Sequence, residues 1–213
     1  MPKKRAPLTR EFVLETALKI LDEQGMDGLS MRKLASALHV EAMSLYNHVQ
    51  NKNDLLNGVV DLVLARIELP DAALPWRERL EASAIKIYEA FIQHPTLVIL
   101  ISSEQVNPNV MQGADSIIAA LAEAGLPPLR QVNAFRGLLA MCFGFILTHT
   151  QGFSTTKEMA QQEWDQADTS QWDAETLPHL ANLAPYFLQT HADDDFQFML
   201  RAYLDAIQGS QGG

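Results

Sequence analysis

Apolar residues recur three and four apart along most of the 213-residue chain, and Pro, Gly or a capping residue interrupts each run. That pattern confines the chain to helices packed through one face, with almost no strand signal. Thr9 caps a helix running to Gln24, with Gly25 as its stop and Val13, Ala17, Ile20 and Leu21 on one face. Ser30 caps a short second helix with Leu34, Ala35 and Leu38 inward, and Ala42 to Val49 reads as a third helix of about two turns. Asn51 caps a fourth helix to about Glu68, with Asp54 placed as in a capping box, and Pro70 to Pro75 forms a joint.

Beyond the joint, Trp76, Leu80, Ala84, Ile87 and Phe91 stripe a helix that stops before Pro95, and Val110, Ala114, Ile117, Ile118 and Leu121 stripe another ending at Gly125. Leu129 to Gln151 carries Val132, Phe135, Leu139, Phe143, Ile146 and Leu147 on one face and Leu138, Met141 and Phe145 on the other. A helix apolar nearly all round must be covered on every side. The last helix, Asp194 to Gln208, has Phe196, Met199, Leu200, Tyr203, Leu204 and Ile207 at helical spacing, with Asp193 to Asp195 at its positive end. Residues 154–185 read as a long loop containing a broken helix. The fold class is all-α: an N-terminal three-helix domain over 1–53, joined by helix 53–70 to a larger helical domain over 54–213.

A hydrophobic fraction of 47% excludes global disorder. Cys142 is the single cysteine, so no intramolecular disulfide forms, and no Cys/His spacing suits zinc; a reduced, cytoplasmic setting is expected. The basic start MPKKRAPLTR lacks the apolar core of a secretory signal. The longest uncharged run, Gly137 to Thr156, holds only eleven consecutive apolar residues, short of the roughly 20 a membrane helix needs, so no membrane partner is expected. The histidines and Cys142 stand in no G-x-S-x-G, phosphate-loop or metal motif, and no catalysis, cofactor or metal is expected.

Charge divides the chain unevenly. Residues 1–53 hold eight Lys/Arg and six Asp/Glu, a net of +2, whereas 54–213 carry eight and twenty, a net of −12. A small head meeting polyanions and an acidic body fit that division.

Two short helices joined by a brief turn and followed by a capped helix form the helix-turn-helix layout, whose second helix enters the major groove of double-stranded DNA. Leu34, Ala35, Leu38, Val40 and Leu45 lock the pair, leaving Ala42, Met43, Ser44, Tyr46, Asn47 and His48 outward. Arg32, Lys33 and Lys52 flank them, with Lys3, Lys4 and Arg5 as an arm. A surface helix pair with scattered lysines has the same layout, which leaves both readings open.

The stretch LSMRKLASALHVEAMSLYNHVQNKNDLL, Leu29 to Leu56, resembles the DNA-binding region of the TetR family of bacterial transcriptional regulators: a Ser/Thr cap, R-K-L-A, the turn valine, S-L-Y-x-H and N-K-x-x-L-L stand in register. His39 departs from the pattern, standing where the family has Gly; His tolerates positive φ better than most residues. The resemblance implies that Ser30 and Arg32 approach the DNA backbone and outer bases, and the layout adds Lys33 and Asn47 to the DNA-facing surface. It places Ala42, Met43 and Ser44 on bases, an Ala-Met pair suited to thymine methyls, and Tyr46, His48 and Lys52 on phosphates.

W-R-x-x-L, FIQHP (Phe91 to Pro95), the Gly-Leu before Pro127 and the G-F-x-L at Gly144 resemble the C-terminal domain of the family's tetracycline-repressor branch. The positions with which that branch grips a magnesium–tetracycline chelate fall on Glu68, Ser83, Ile101, Ile117 and Thr148, so tetracycline is not the expected ligand. The resemblance implies a pocket for another small-molecule effector, apolar in character, lined by Ile87, Tyr88, Phe91, Ile101, Met111, Ile117, Phe135, Phe143, Leu147 and His149, with Asn133 and Gln151 as further polar handles. It also implies a homodimer built on the last two long helices, with Leu138, Met141, Phe145, Met199 and Tyr203 at the interface, and hence a palindromic operator. A repressor released by its effector follows; the alternative is a DNA-binding dimer with no small-molecule ligand, governed by a protein partner or by abundance.

Overall fold

The computed structural model describes residues 7–102, 108–151, 175–187 and 192–209, and among these every regular element is a helix. They are α1 (Arg10–Gly28), α2 (Met31–Leu38), α3 (Ala42–Leu45), α4 (Lys52–Leu64), α5 (Trp76–Ile92), α6 (Thr96–Ser102), α7 (Pro108–Glu123), α8 (Pro128–Gln151), α9 (Pro178–Phe187) and α10 (Ala192–Gly209). The Lys3–Arg5 arm and most of the loop expected over 154–185 lie outside the described residues; that segment's end is α9.

The local signals act where their chemistry places them. Thr9, Ser30 and Asn51 are N-caps whose side-chain oxygens accept from the backbone N–H groups of Phe12, Lys33 and Asp54. Gly25 takes φ 66° and breaks the helical backbone of α1, as its stop position requires. α2 ends in a Schellman turn, with Val40 N–H donating to Ala35 O and His39 N–H to Ser36 O. His39 occupies the left-handed position at φ 55°, where glycine is the unstrained choice.

Three elements differ from expectation. The third helix has one α-turn, Ala42–Leu45; from Tyr46 to His48 the N–H groups bond three residues back, and Val49 returns to Leu45. α4 stops at Leu64 rather than Glu68, because Arg66 and Ile67 also bond three residues back. The FIQHP corner leads into a short helix, α6, that the apolar stripes do not announce.

Contacts group into two compact units: residues up to Pro70 with Glu89–Ile117, and Asp71–Tyr88 with the residues from Ile118 on. The sequence boundary near residue 53 follows the turn chemistry, whereas the spatial grouping adds Glu89–Ile117 to the head because α6 packs on α1 and α4. In this first unit Val13, Leu14, Ala17, Leu21, Leu34, Leu38, Leu45, Val49, Leu55, Val59 and Val63 are buried, together with Leu97 and Val98 of α6. His94 Nδ1 lies 3.0 Å from Asp22 Oδ2, and the Thr96 hydroxyl donates to Leu21 O at 3.4 Å, holding the corner on the end of α1.

In the second unit α8 and α10 pack along Ala134, Leu138, Cys142 and Ile146 against Phe196, Leu200, Leu204 and Ile207. Burial pushes the Cys142 thiol up to about 12, so it stays protonated and behaves as a small apolar group. The stretch Pro128–Thr148 is long and apolar enough to cross a bilayer, in contrast to the eleven-residue reading of the sequence. In the fold its apolar stripe serves as the packing face for α10.

Gly137 allows the closest approach of this pair: Tyr203 lies over its Cα and donates from its hydroxyl to Ala134 O at 2.9 Å. A Cβ at 137 would overlap the Tyr203 ring and hydroxyl. Gly137→Ala is therefore expected to destabilise the protein by about 1–3 kcal/mol, the usual cost of overpacking; an unchanged thermal midpoint for the variant would remove Tyr203 from this role.

Candidate nucleic-acid interface

The segment Glu41–Gln50 presents a row of side chains fastened from beneath. Leu45, the last residue of α3, and Val49, just beyond it, are buried, and α3 packs on α2. Around them Met43 is 74% exposed and Tyr46 47%, Asn47 is exposed, and Ala42, Ser44 and His48 are half-exposed. Arg32 and Lys33 are exposed on α2. All the expected contact residues of the head thus lie on α2, on the Ala42–His48 segment, or at the starts of α2 and α4.

Two of them already have intramolecular work. The Ser30 hydroxyl accepts from Lys33 N–H as the cap of α2, keeping its own O–H to donate. Lys52 donates to Leu29 O at 3.0 Å, tying the start of α4 to the start of α2; one of its three donors is taken, so a phosphate role rests on the other two.

Beneath the segment lies a polar network that sequence reasoning missed. Arg10, in the first turn of α1, donates from Nη1 to His48 O at 2.6 Å and from Nη2 to Asp54 Oδ1 at 2.8 Å. Asp54 Oδ2 accepts from Gln50 N–H at 2.8 Å, one residue before the Asn51 cap rather than the cap's own N–H as a capping box would have it. The Arg10 guanidinium, and after it the Gln50 N–H, holds the Asp54 carboxyl below its ordinary value, while the Asp54 bond raises Arg10. No local signal marks this pair, because its members stand 44 residues apart. What makes room for it is Gly58: a Cβ there would lie 2.7 Å from Leu14 Cδ2 and 3.1 Å from Arg10 Nη2.

The expected pocket residues divide between the two units. Phe91 and Ile117 are buried and Ile101 half-buried in the first, whereas Met111 is 53% exposed and does not point inward as expected, since it lies on the solvent side of α7. In the second, Ile87, Phe135, Phe143 and Leu147 are half-buried and Asn133 is exposed. Tyr88 is buried, stacked on Phe196 at 4.1 Å between ring centroids and edge-on to Phe145. Its hydroxyl donates to Asp193 at 3.2 Å, and burial, with that carboxylate beside it, raises the phenol well above its usual value. The side chains of His149 and Gln151 lie outside the described residues.

The expected dimer residues also separate. Leu138 is buried within its own unit and Phe145 packs on Tyr88 and Phe196, so neither depends on a partner for cover; spacing alone leaves the second face of α8 unpaired because it does not show α10 and α5 against it. Tyr203 is engaged with Ala134 and Met141 is half-buried, while Met199 remains exposed, with Phe198 beside it.

Residues 13–59 match the family of bacterial regulatory proteins named tetR, and residues 69–210 match the tetracycline-repressor-like C-terminal domain. The chain belongs to the TetR family of DNA-binding transcriptional regulators. Among its relatives, an HTH-type transcriptional regulator of Saccharopolyspora erythraea is 36% identical over 55% of this chain, a match spanning 51% of that relative's length. The HTH-type transcriptional repressor DrrR1 of Streptomyces coeruleorubidus is 29% identical over 94% of this chain and 77% of its own. The class E tetracycline repressor of Escherichia coli is 27% identical over 93% and 90%. The crystal structure of ActR from Streptomyces coelicolor in complex with actinorhodin superposes with a TM-score of 0.76 at 29% identity, covering 98% of this chain and all of that one.

The network carries a pH dependence whose sign is set by Asp54. A carboxyl held low in the fold contributes stability that is complete above its ordinary pKa and is lost as the pH falls through the lower folded value. The protein is therefore expected to lose stability below about pH 4. Urea denaturation between pH 7 and pH 3 should show a steeper acid loss for the native chain than for Asp54→Asn; parallel profiles would contradict the assignment.

Proposed function

We propose that the protein is a homodimeric repressor that holds a palindromic operator through the Ala42–His48 segment of each protomer and leaves it on binding a small-molecule effector. The observation that carries the reading is the outward row Met43, Tyr46 and Asn47 on a turn anchored by buried Leu45 and Val49. In this reading Ala42, Met43 and Ser44 face base edges, Arg32, Lys33, Tyr46, His48 and Lys52 reach phosphates, and Ser30 sets the start of α2 against the backbone. Two such segments in a dimer stand about 34–36 Å apart, one turn of DNA. Exposed Phe198 and Met199 on α10, with Leu129 and Val132 on α8, support pairing through these helices. The family and the relatives' printed roles support repression and a cytoplasmic setting.

A small-molecule effector is supported by the likeness to ActR, solved with actinorhodin, and its apolar character by the buried and half-buried apolar residues expected to line the pocket. Tetracycline is not that effector: Ile101 and Ile117 offer magnesium and drug no polar atom, and the Thr148 hydroxyl donates to the carbonyls of Gly144 and Phe145. A fluorescence titration with magnesium and tetracycline is expected to show no magnesium-dependent binding at micromolar drug; a saturable change would reverse this. A second reading, a dimer without effector, draws on the tight Tyr88–Phe145–Phe196 packing; operator affinity unmoved by every compound that binds the body would favour it.

The test of the DNA reading is selection from a random-sequence duplex pool. The protein should enrich a palindrome, and Met43→Ala should weaken the selected duplex by about tenfold while leaving non-specific binding alone. Enrichment of no sequence would defeat the proposal.

A further inference from the structure

We infer that Arg10 is a positioning residue for operator recognition: it sets the reading segment on the α1–α4 frame through His48 O and Asp54, and does not serve as a phosphate ligand. The inference rests on the DNA-binding reading above. An arginine in the first turn of a head's first helix, beside a basic arm, would ordinarily be counted among residues that neutralise phosphates.

The geometry assigns it otherwise. Both terminal nitrogens are committed: Nη1 to His48 O at 2.6 Å and to Asp54 Oδ2 at 3.2 Å, Nη2 to Asp54 Oδ1 at 2.8 Å. This is the two-pronged arginine–carboxylate arrangement, with one prong extended to a backbone carbonyl, and such charge-assisted bonds are short and directional. His48 O belongs to the last turn of the reading segment, where the N–H groups bond three residues back and the backbone has few other ties. On the other side of the carboxylate, Asp54 accepts from Gln50 N–H, which joins that segment to α4. One cation therefore fixes the end of the segment from α1, and its counter-ion fixes the following residues from α4. Gly58 leaves the gap through which the guanidinium passes. The pair is half-exposed, so its effect lies in direction rather than in bulk stability. Small tilts of the segment move Met43 and its neighbours relative to base edges, so the effect is read as operator affinity.

The full-length protein and the duplex it selects separate this from the alternatives. Arg10→Gln, Asp54→Asn, the double variant and Arg10→Lys are titrated with that duplex and with a scrambled duplex across a range of salt. For a positioning pair, Arg10→Gln and Asp54→Asn each lower affinity for the selected duplex by about tenfold or more, as removal of charge-assisted bonds allows. The double variant is no weaker than the weaker single, and the slope of log affinity against log salt stays as in the native chain. Arg10→Lys keeps the charge but not the fork, so it is weakened too and serves as the reading if Arg10→Gln fails to fold. A phosphate ligand behaves differently: Arg10→Gln then lowers the slope by about 1.8, the share of two neutralised phosphates, one for each protomer of the dimer, and Asp54→Asn, which releases the cation, leaves binding unchanged or tighter. That outcome overturns the inference while leaving the DNA-binding reading in place. Failure of the native chain to select any duplex removes the reading on which it stands.

Discussion

The close approach of α1 and α4 at Gly58 is the constraint on which the head depends. With no side chain at 58, Leu14 can enter the interface and Arg10 can reach across it to Asp54. α2 and the reading segment have too few residues to hold themselves; α2 packs on α1, which is joined to α4, and α3 packs on α2 with Leu45 and Val49 buried. The amide and carbonyl groups at the end of the segment follow the same logic, with His48 O taken by α1 and Gln50 N–H by α4. A short, weakly helical element thereby becomes a rigid presenter of side chains without needing helical stability of its own.

What the sequence made legible is what local chemistry determines. Thr9, Ser30 and Asn51 cap where an oxygen three residues upstream of an unpaired N–H must act, and Gly25 and Gly125 take positive φ at helix ends, so these boundaries can be read one residue at a time. The outward row from Met43 to Asn47 was legible too, because Leu45 and Val49 mark the inward side. The length of α3 was not: its change to three-residue bonding after Leu45 answers to the pull of His48 O toward Arg10 and of Val49 into the core, and both partners are remote in sequence.

The body was less legible for a different reason. On α8 both faces are apolar, so spacing alone cannot say which face meets α10, which meets α5 and which is left outward. Leu138 and Phe145 read as partner-seeking residues, yet the first sits under α10 and the second completes the Tyr88–Phe196 cluster. Gly137 carries the hidden part of the information. A glycine in mid-helix is a weak signal, but here it is the place where Tyr203 crosses, and it selects α10 as the neighbour of that face.

Charge placement bears on head and body alike. A net of −10 argues against contact with DNA, yet it is held unevenly, and three arginines of the body are taken up by its own acids: Arg77 by Asp205, Arg79 by Glu123 and Arg201 by Glu81. Those pairs leave the surplus of carboxylates to set the field of that unit, which repels polyanions. In the head, Arg10 is likewise paired, while Arg32 and Lys33 make no ion pair among the described residues. The charge available to phosphates is therefore smaller than the count of basic residues suggests. In the proposed reading, discrimination then falls to the orientation of the reading segment, which Arg10, Asp54 and Gly58 set from beneath.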